Sequence, residues 1–364
     1  FQIDIGVRML ETRNVFIDTQ YFVKSNYNFE SISFLSLKEL CQKEELRYLM
    51  TSVVEREVEN KIELSIKEAL GSLQSFKRKA HILSTIDDPS LSSLFADVRE
   101  EDVYGKANEV FHSFNTECKY EYVEADQIDP EKLLELYFEK KAPFGDGKKK
   151  SEFPDAISLL SLETYLEESE KLYVISDDKD LKAYCEGNER LIAVDSLEKL
   201  LDIYNLHTNA RTEKVKQFIE SKTDEIKAQV SDYISGSDVY NSSSWEDAEV
   251  DSFSVSEVGD FEINVVHVSD EECQLALDLT IELDVTVIGP DFSNGVYDKE
   301  DGHFYSFGST TREEVIPFDF ICELNLSYEF VGGELEDVEI VDLYIPKAHS
   351  IEVNVEEHDQ SEWY

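Results

Sequence analysis

The chain has 364 residues, 41% of them apolar and 31% charged, which supports a folded core and more than one domain. Its net charge is −46, from 34 Lys and Arg against 80 Asp and Glu, and about 38 of those acids but only about 8 of the bases fall from Leu206 onward. Such a surface repels nucleic acid and anionic lipid at long range, which argues against a general DNA-coating protein and leaves room for an enzyme with a local basic groove.

The first apolar run, Val15–Ile17, reads as a strand that ends on Asp18. A helix follows from Ile32 to Glu44, with Phe34, Leu35, Leu37 and Leu40 near helical spacing. Leu46–Met50 reads as a second strand, and Thr51 or Ser52 then offers an N-cap. The next helix carries Val54, Val58, Ile62 and Ile66 in steps of four and continues to about Ile82. Asp87-Asp88-Pro89 breaks it. Further helices are expected over Glu101–Glu117, after Asp129-Pro130, and from Pro154, which suits a first helical position.

Leu172–Ser176 is a continuous apolar run, as in a parallel strand covered on both faces. A short helix over Asp180–Glu186, a strand over Leu191–Val194 and a helix over Ser196–Tyr204 complete the alternation. Strands alternating with helices predict an α/β sandwich with a mostly parallel sheet.

Thr208–Ile234 reads as one charged helix without cues for burial, and Gly236–Ser244 as a polar linker. After Trp245 the period changes to two. Ala276–Val287 alternates apolar and polar residues almost without fault, as do Phe318–Phe330 and Val338–Tyr344. Turn signals stand at Gly289-Pro290, Asn294-Gly295, Asp301-Gly302 and Gly332-Gly333. This pattern predicts an antiparallel β domain with one wet, acidic face. The expected divisions are 1–204 for the α/β domain, 205–244 for a helical, polar linker and 245–364 for the β domain.

The five cysteines, Cys41, Cys118, Cys185, Cys273 and Cys322, are scattered and form no CxxC pair. They read as reduced thiols, and the seven histidines show no zinc-ligand spacing. No apolar run approaches the roughly 18 residues of a membrane span, and no signal peptide is visible. The expected address is cytoplasmic.

Four acids stand where a parallel sheet would present them to a crevice at its carboxyl end. They are Asp18 after the first strand, Glu57 in Val53-Val54-Glu55-Arg56-Glu57-Val58, Asp155 in Phe153-Pro154-Asp155, and Asp178 in Ser176-Asp177-Asp178. Acids converging there repel one another unless a divalent cation lies between them. Glu55 competes with Glu57, and Asp177 with Asp178, for the same roles. Glu152 and Ser176 are candidates to support the ligands, and Asp180 to cap the helix it begins. Lys148, Lys149 and Lys150, on a glycine-containing loop, are candidates for substrate phosphates. Phe144, Tyr21 and Phe22 are candidates to stack on bases.

These acids, in this order on an α/β pattern, resemble the PIN-domain nucleases over roughly Arg13–Tyr204. Lys150-Ser151-Glu152-Phe153-Pro154-Asp155-Ala156-Ile157 is similar to a bacterial PIN-like subfamily often encoded near defence or toxin systems. The resemblance implies a PIN-like α/β/α sandwich and a phosphodiesterase dependent on Mg²⁺ or Mn²⁺. Asp18, Asp155 and Asp178 would hold the ion, and Glu57 would orient the nucleophile. It points to an endoribonuclease cutting single-stranded RNA, regulated by the β domain. A structure-specific DNA nuclease is the near alternative. A non-catalytic interaction protein, meeting a basic protein partner through its acidic β domain, is the distant one.

Overall fold

The structure, a computed structural model, describes residues 10–86, 88–144, 152–297 and 304–357. The chain divides into two compact units, Phe1–His207 and Thr208–Tyr364.

The first unit runs β1 (Asn14–Ile17), α1 (Thr19–Lys24), α2 (Ile32–Gln42), β2 (Arg47–Thr51), α3 (Ser52–Lys79), α4 (Pro89–Leu94), α5 (Glu100–Glu117), β3 (Glu121–Val123), α6 (Pro130–Glu139), α7 (Phe153–Tyr165), β4 (Leu172–Ile175), α8 (Lys179–Glu186), β5 (Leu191–Val194) and α9 (Leu197–Thr208). The strands form one sheet in the order β3-β2-β1-β4-β5, with every pairing parallel. Residues of β1 and β4 are buried throughout, because helices cover both faces of such a sheet. The chain works outward from β1 through β2 to β3, then returns to lay β4 on the other side of β1. The seam between β1 and β4 is therefore the switch point at which parallel sheets open a crevice beyond their carboxyl ends.

The predicted α/β sandwich is thus borne out, and three elements go beyond the expectation: α1, α4 and β3. The first of these begins at once after Asp18 and is held by its Phe22. That ring stacks on Phe34 of α2 at 5.7 Å and meets Phe111 of α5 edge-on at 5.9 Å. Thr51, not Ser52, caps α3, accepting a bond from the Val54 amide at 3.2 Å.

The second unit contains α10 (Arg211–Ser221), α11 (Thr223–Ser235), β6 (Asp238–Asn241), β7 (Glu249–Val258), β8 (Glu262–Val268), β9 (Glu272–Pro290), β10 (Val296–Tyr297), β11 (Phe304–Tyr305), β12 (Ser309–Val331), β13 (Glu334–Tyr344) and β14 (Ser350–Val353). Its main sheet is antiparallel, ordered β13-β12-β9-β7, with β8 also paired to β9. Period-two alternation explains the two long central strands: along β9, Leu283 and Val285 are buried while Glu282 and Asp284 are exposed. The β12–β13 hairpin turns on Gly332 and Gly333, at φ +63° and +95°, which residues with a Cβ resist.

The expected helical, polar linker at 205–244 is corrected. Its helical part is two helices, and Val215, Ile219, Ile226, Val230 and Ile234 are fully buried in the core of the β sheet. The spacing of these residues by four and seven is a helical stripe diluted by charges, which made it read as polar. The Ser/Asn-rich segment after it is also no linker, since β6 pairs in parallel with β14.

Candidate active site

Asp18 stands at the N-cap of α1, yet its side chain makes no capping bond. The carboxylate is instead 4% exposed and accepts a hydrogen bond from Ser176 Oγ at 3.1 Å. Its backbone amide donates to the Ile175 carbonyl at 3.0 Å, which ties the end of β1 to the end of β4. Ser176 is itself buried and accepts from the Asp178 amide at 3.1 Å. One hydroxyl thereby links the loops that follow the two central strands.

Asp178 caps α8: its Oδ1 accepts from the Asp180 and Leu181 amides at 2.7 and 3.0 Å. The expectation that Asp180 caps this helix is corrected, because Asp180 lies within its first turn. Glu57, from α3, accepts a bond from Thr19 Oγ1 at 2.8 Å. Asp155 lies in the first turn of α7, next to Glu152 at the N-cap, whose side chain makes no capping bond.

These acids feel one another. Burial pushes the Asp18 carboxyl up to about 6, and the charges of Glu57 and Asp178 add to that against the bonds from Ser176 and the Thr19 backbone. Burial pushes Asp155 up to about 8, reinforced by Asp18, Glu57, Glu152 and Asp178. Among the described residues no Lys or Arg forms an ion pair with Asp18, Glu57, Asp155 or Asp178, whereas Lys24 takes Asp177 and Lys182 takes Asp195.

The two open choices are separated by direction. Glu55 faces the other side of α3, toward His112 at 3.9 Å and the hydroxyls of Tyr120 and Tyr122. Asp177 is at the surface with Lys24. Glu57 and Asp178 are the members of each pair that act on Asp18 and Asp155.

Phe144 is fully buried between Tyr137 and Phe153, with ring centroids at 5.5 and 4.9 Å, so it is no base-stacking residue. The same correction holds for Phe22, which is core, and Tyr21 donates its hydroxyl to Glu198 at 2.7 Å. Lys148, Lys149 and Lys150 lie outside the described residues. Two residues escaped the sequence reading. Thr19 orients Glu57, and its only signal was its place directly after Asp18. Glu198 of α9 is 4% exposed and accepts bonds from both Tyr21 and Ser33 at 2.7 Å, fastening α1 behind the site.

Among the described residues no three Asp, Glu, His or Cys side chains converge closely enough to ligate an ion as they stand. The donor chemistry nonetheless fits a hard divalent cation. The available groups are carboxylate oxygens, they raise one another's affinity for protons, and among the described residues no Lys or Arg pairs with them.

Residues 15–181 match the family model described as the PIN domain. Among curated proteins and among solved structures there is no match. The matched stretch spans β1 to the first turn of α8 and so includes Asp18, Glu57, Asp155 and Asp178. PIN domains have a nuclease fold and generally use divalent metals such as Mg²⁺.

Proposed function

We propose, from the match of residues 15–181 to the PIN-domain family model, that the protein is a Mg²⁺- or Mn²⁺-dependent endoribonuclease that cuts single-stranded RNA. One observation carries the reading: the buried Asp18 carboxyl at the switch point and the part-buried Asp155 carboxyl that feels its charge are raised to about 6 and about 8 by desolvation and by the acids around them. Ionising them without a compensating positive charge is costly, and a cation is the compensation the donor set suits. A divalent ion bound there supplies Lewis-acid stabilisation of phosphate charge and lowers the pKa of a water.

The chain's own residues prepare that role. Asp18, Asp155 and Asp178 would hold the ion. Ser176 holds Asp18 and the loop to Asp178 in register. Thr19 fixes Glu57, which would orient the attacking water. The preference for RNA over DNA rests on the family resemblance, as does the proposed role in defence or as a toxin.

Digestion of labelled RNA and DNA panels with and without Mn²⁺ tests the function. Wild type should cut RNA only with the metal, and Asp18→Asn should not cut. Cleavage that survives chelation, or equal cleavage by Asp18→Asn, removes the reading. The wet sheet face carrying Glu257, Glu282 and Asp284 supports a second role for the β unit, that of engaging a basic protein partner.

A further inference from the structure

Resting on the nuclease reading above, the geometry of α3 bears on how the substrate strand is held. This helix begins at the site and runs for 28 residues, about 40 Å at its usual rise. Its buried residues are Val54, Val58 and Ile62, so its first third is anchored in the fold and the rest has no buried side chain. By helical periodicity the side of α3 that carries Glu57 continues through Lys61, Leu64, Glu68, Gly71, Ser75 and Lys79, with Arg78 at its margin. This strip is open. Leu64 is 52% exposed, and a Cβ built on Gly71 meets nothing within 4 Å.

The charges on the strip set it apart. Many bases of this unit are tied to acids, as Lys67 to Glu63, Lys119 to Glu44 and Lys171 to Glu11. Arg56, Lys106 and Lys179 are also exposed and without an ion pair among the described residues, but only the strip gathers several such bases on the helix face that carries Glu57. Lys61, Arg78 and Lys79 are exposed and form no ion pair among the described residues. Arg78 Nη2 instead donates to Ser75 Oγ at 3.1 Å, which lays its guanidinium back along the strip. In a chain of net charge −46, a polyanion can settle only where bases are uncompensated.

We propose that this face of α3 is the track along which the RNA strand leaves the acid site, with Lys61 near its start and Arg78 and Lys79 at its end holding phosphates. Glu57 to Lys79 spans about 33 Å along the helix. That length accommodates about ten nucleotides at a stacked rise of about 3.4 Å. Glu68, midway, is the acid on this path and weakens it.

The test is binding of a fluorescent single-stranded RNA of about 25 nucleotides to the full chain, with Asp18→Asn in every sample to prevent cutting, over a salt series. Lys61→Ala/Arg78→Ala/Lys79→Ala should weaken binding about tenfold at low salt and make the log–log salt slope shallower by about 2. Glu68→Gln should tighten binding. Lys43→Ala/Lys119→Ala/Lys171→Ala removes the same charge from bases already paired and should leave the slope unchanged. An unchanged slope in the first variant, or an equal change in the last, overturns the track. Cleavage by wild type is assayed alongside. If wild type cuts RNA while the track variant binds normally, the track fails and the nuclease stands. If wild type neither binds nor cuts RNA, the nuclease reading fails and the track falls with it.

Discussion

The two sheets of this protein use acids in opposite ways. In the parallel sheet, acids stand beyond the carboxyl ends of buried strands and are drawn into the protein, with Asp18 only 4% exposed and its carboxyl pushed up to about 6 by burial. In the antiparallel unit, acids lie along a wet face or in turns, where Lys227 bonds Asp260, and Ser293 and Asn294 bond Asp291, holding both carboxyls below their ordinary value. The residue type is the same and its chemistry is set by what covers it. One arrangement accumulates negative charge that asks for a cation. The other disperses its charge over exposed positions and pairs part of it with bases and amides.

Substitutions that exchange these environments test the contrast. The largest effect is expected at the site. Asp155→Asn should lower Mn²⁺-dependent cleavage by about 1000-fold, several kcal/mol of lost charge stabilisation. The same change removes a part-buried like charge, so the metal-free melting temperature at pH 8.5 should rise by a few degrees, about 1 kcal/mol. Glu282→Gln on the wet sheet face should change neither quantity, and a loss of cleavage there would erase the distinction.

Next in size is core packing in the second unit. Val230→Ala should cost about 2 kcal/mol in a denaturant melt, because its side chain is fully buried between α11 and the sheet. A residue of a solvated linker would cost nothing measurable.

The pH dependence follows from the raised carboxyls. Asp18 and Asp155 bind protons more tightly in the fold than their ordinary value of 3.8, so the stability they contribute is complete below that value. It is lost as pH rises through about 6 and then about 8. Metal-free protein should therefore lose stability between pH 5 and about 8.5, and the thermal shift on adding Mg²⁺ should grow over the same range. An equal Mg²⁺ shift at both ends of the range would break the link between these acids and the ion.

A smaller loss is expected from Thr19→Val, which frees Glu57 while keeping its charge. Cleavage should fall by about tenfold with little change in metal affinity. The smallest effect is on the β unit, where Glu257 and Glu282 stand directly opposite each other across β7 and β9. Glu257→Gln should stabilise that unit by about 0.5 kcal/mol at low salt, and the gain should vanish in high salt.

Much of this architecture is legible along the chain. Val15–Ile17, Leu172–Ser176 and Leu191–Val194 are apolar runs whose only stable home is a covered sheet, and Ala276–Val287 alternates as a half-wet strand must. Such patterns are local, so neighbours along the chain suffice to reveal them. The order of Asp18, Glu57, Asp155 and Asp178 is likewise written in the sequence, as is the Gly332-Gly333 turn.

Direction and company were decided only by the tertiary structure. Glu55 and Glu57 sit on one helix turn, and which of them meets Asp18 depends on where α3 lies against α1 and α5. Phe144 looks like a loop tip until Tyr137 and Phe153 close over it. Val215, Ile219, Ile226, Val230 and Ile234 read as part of a charged linker until an antiparallel sheet offers them a core. Backbone periodicity is a property of near neighbours, whereas burial, and with it the protonation of Asp18 and Asp155, comes from residues far away in sequence.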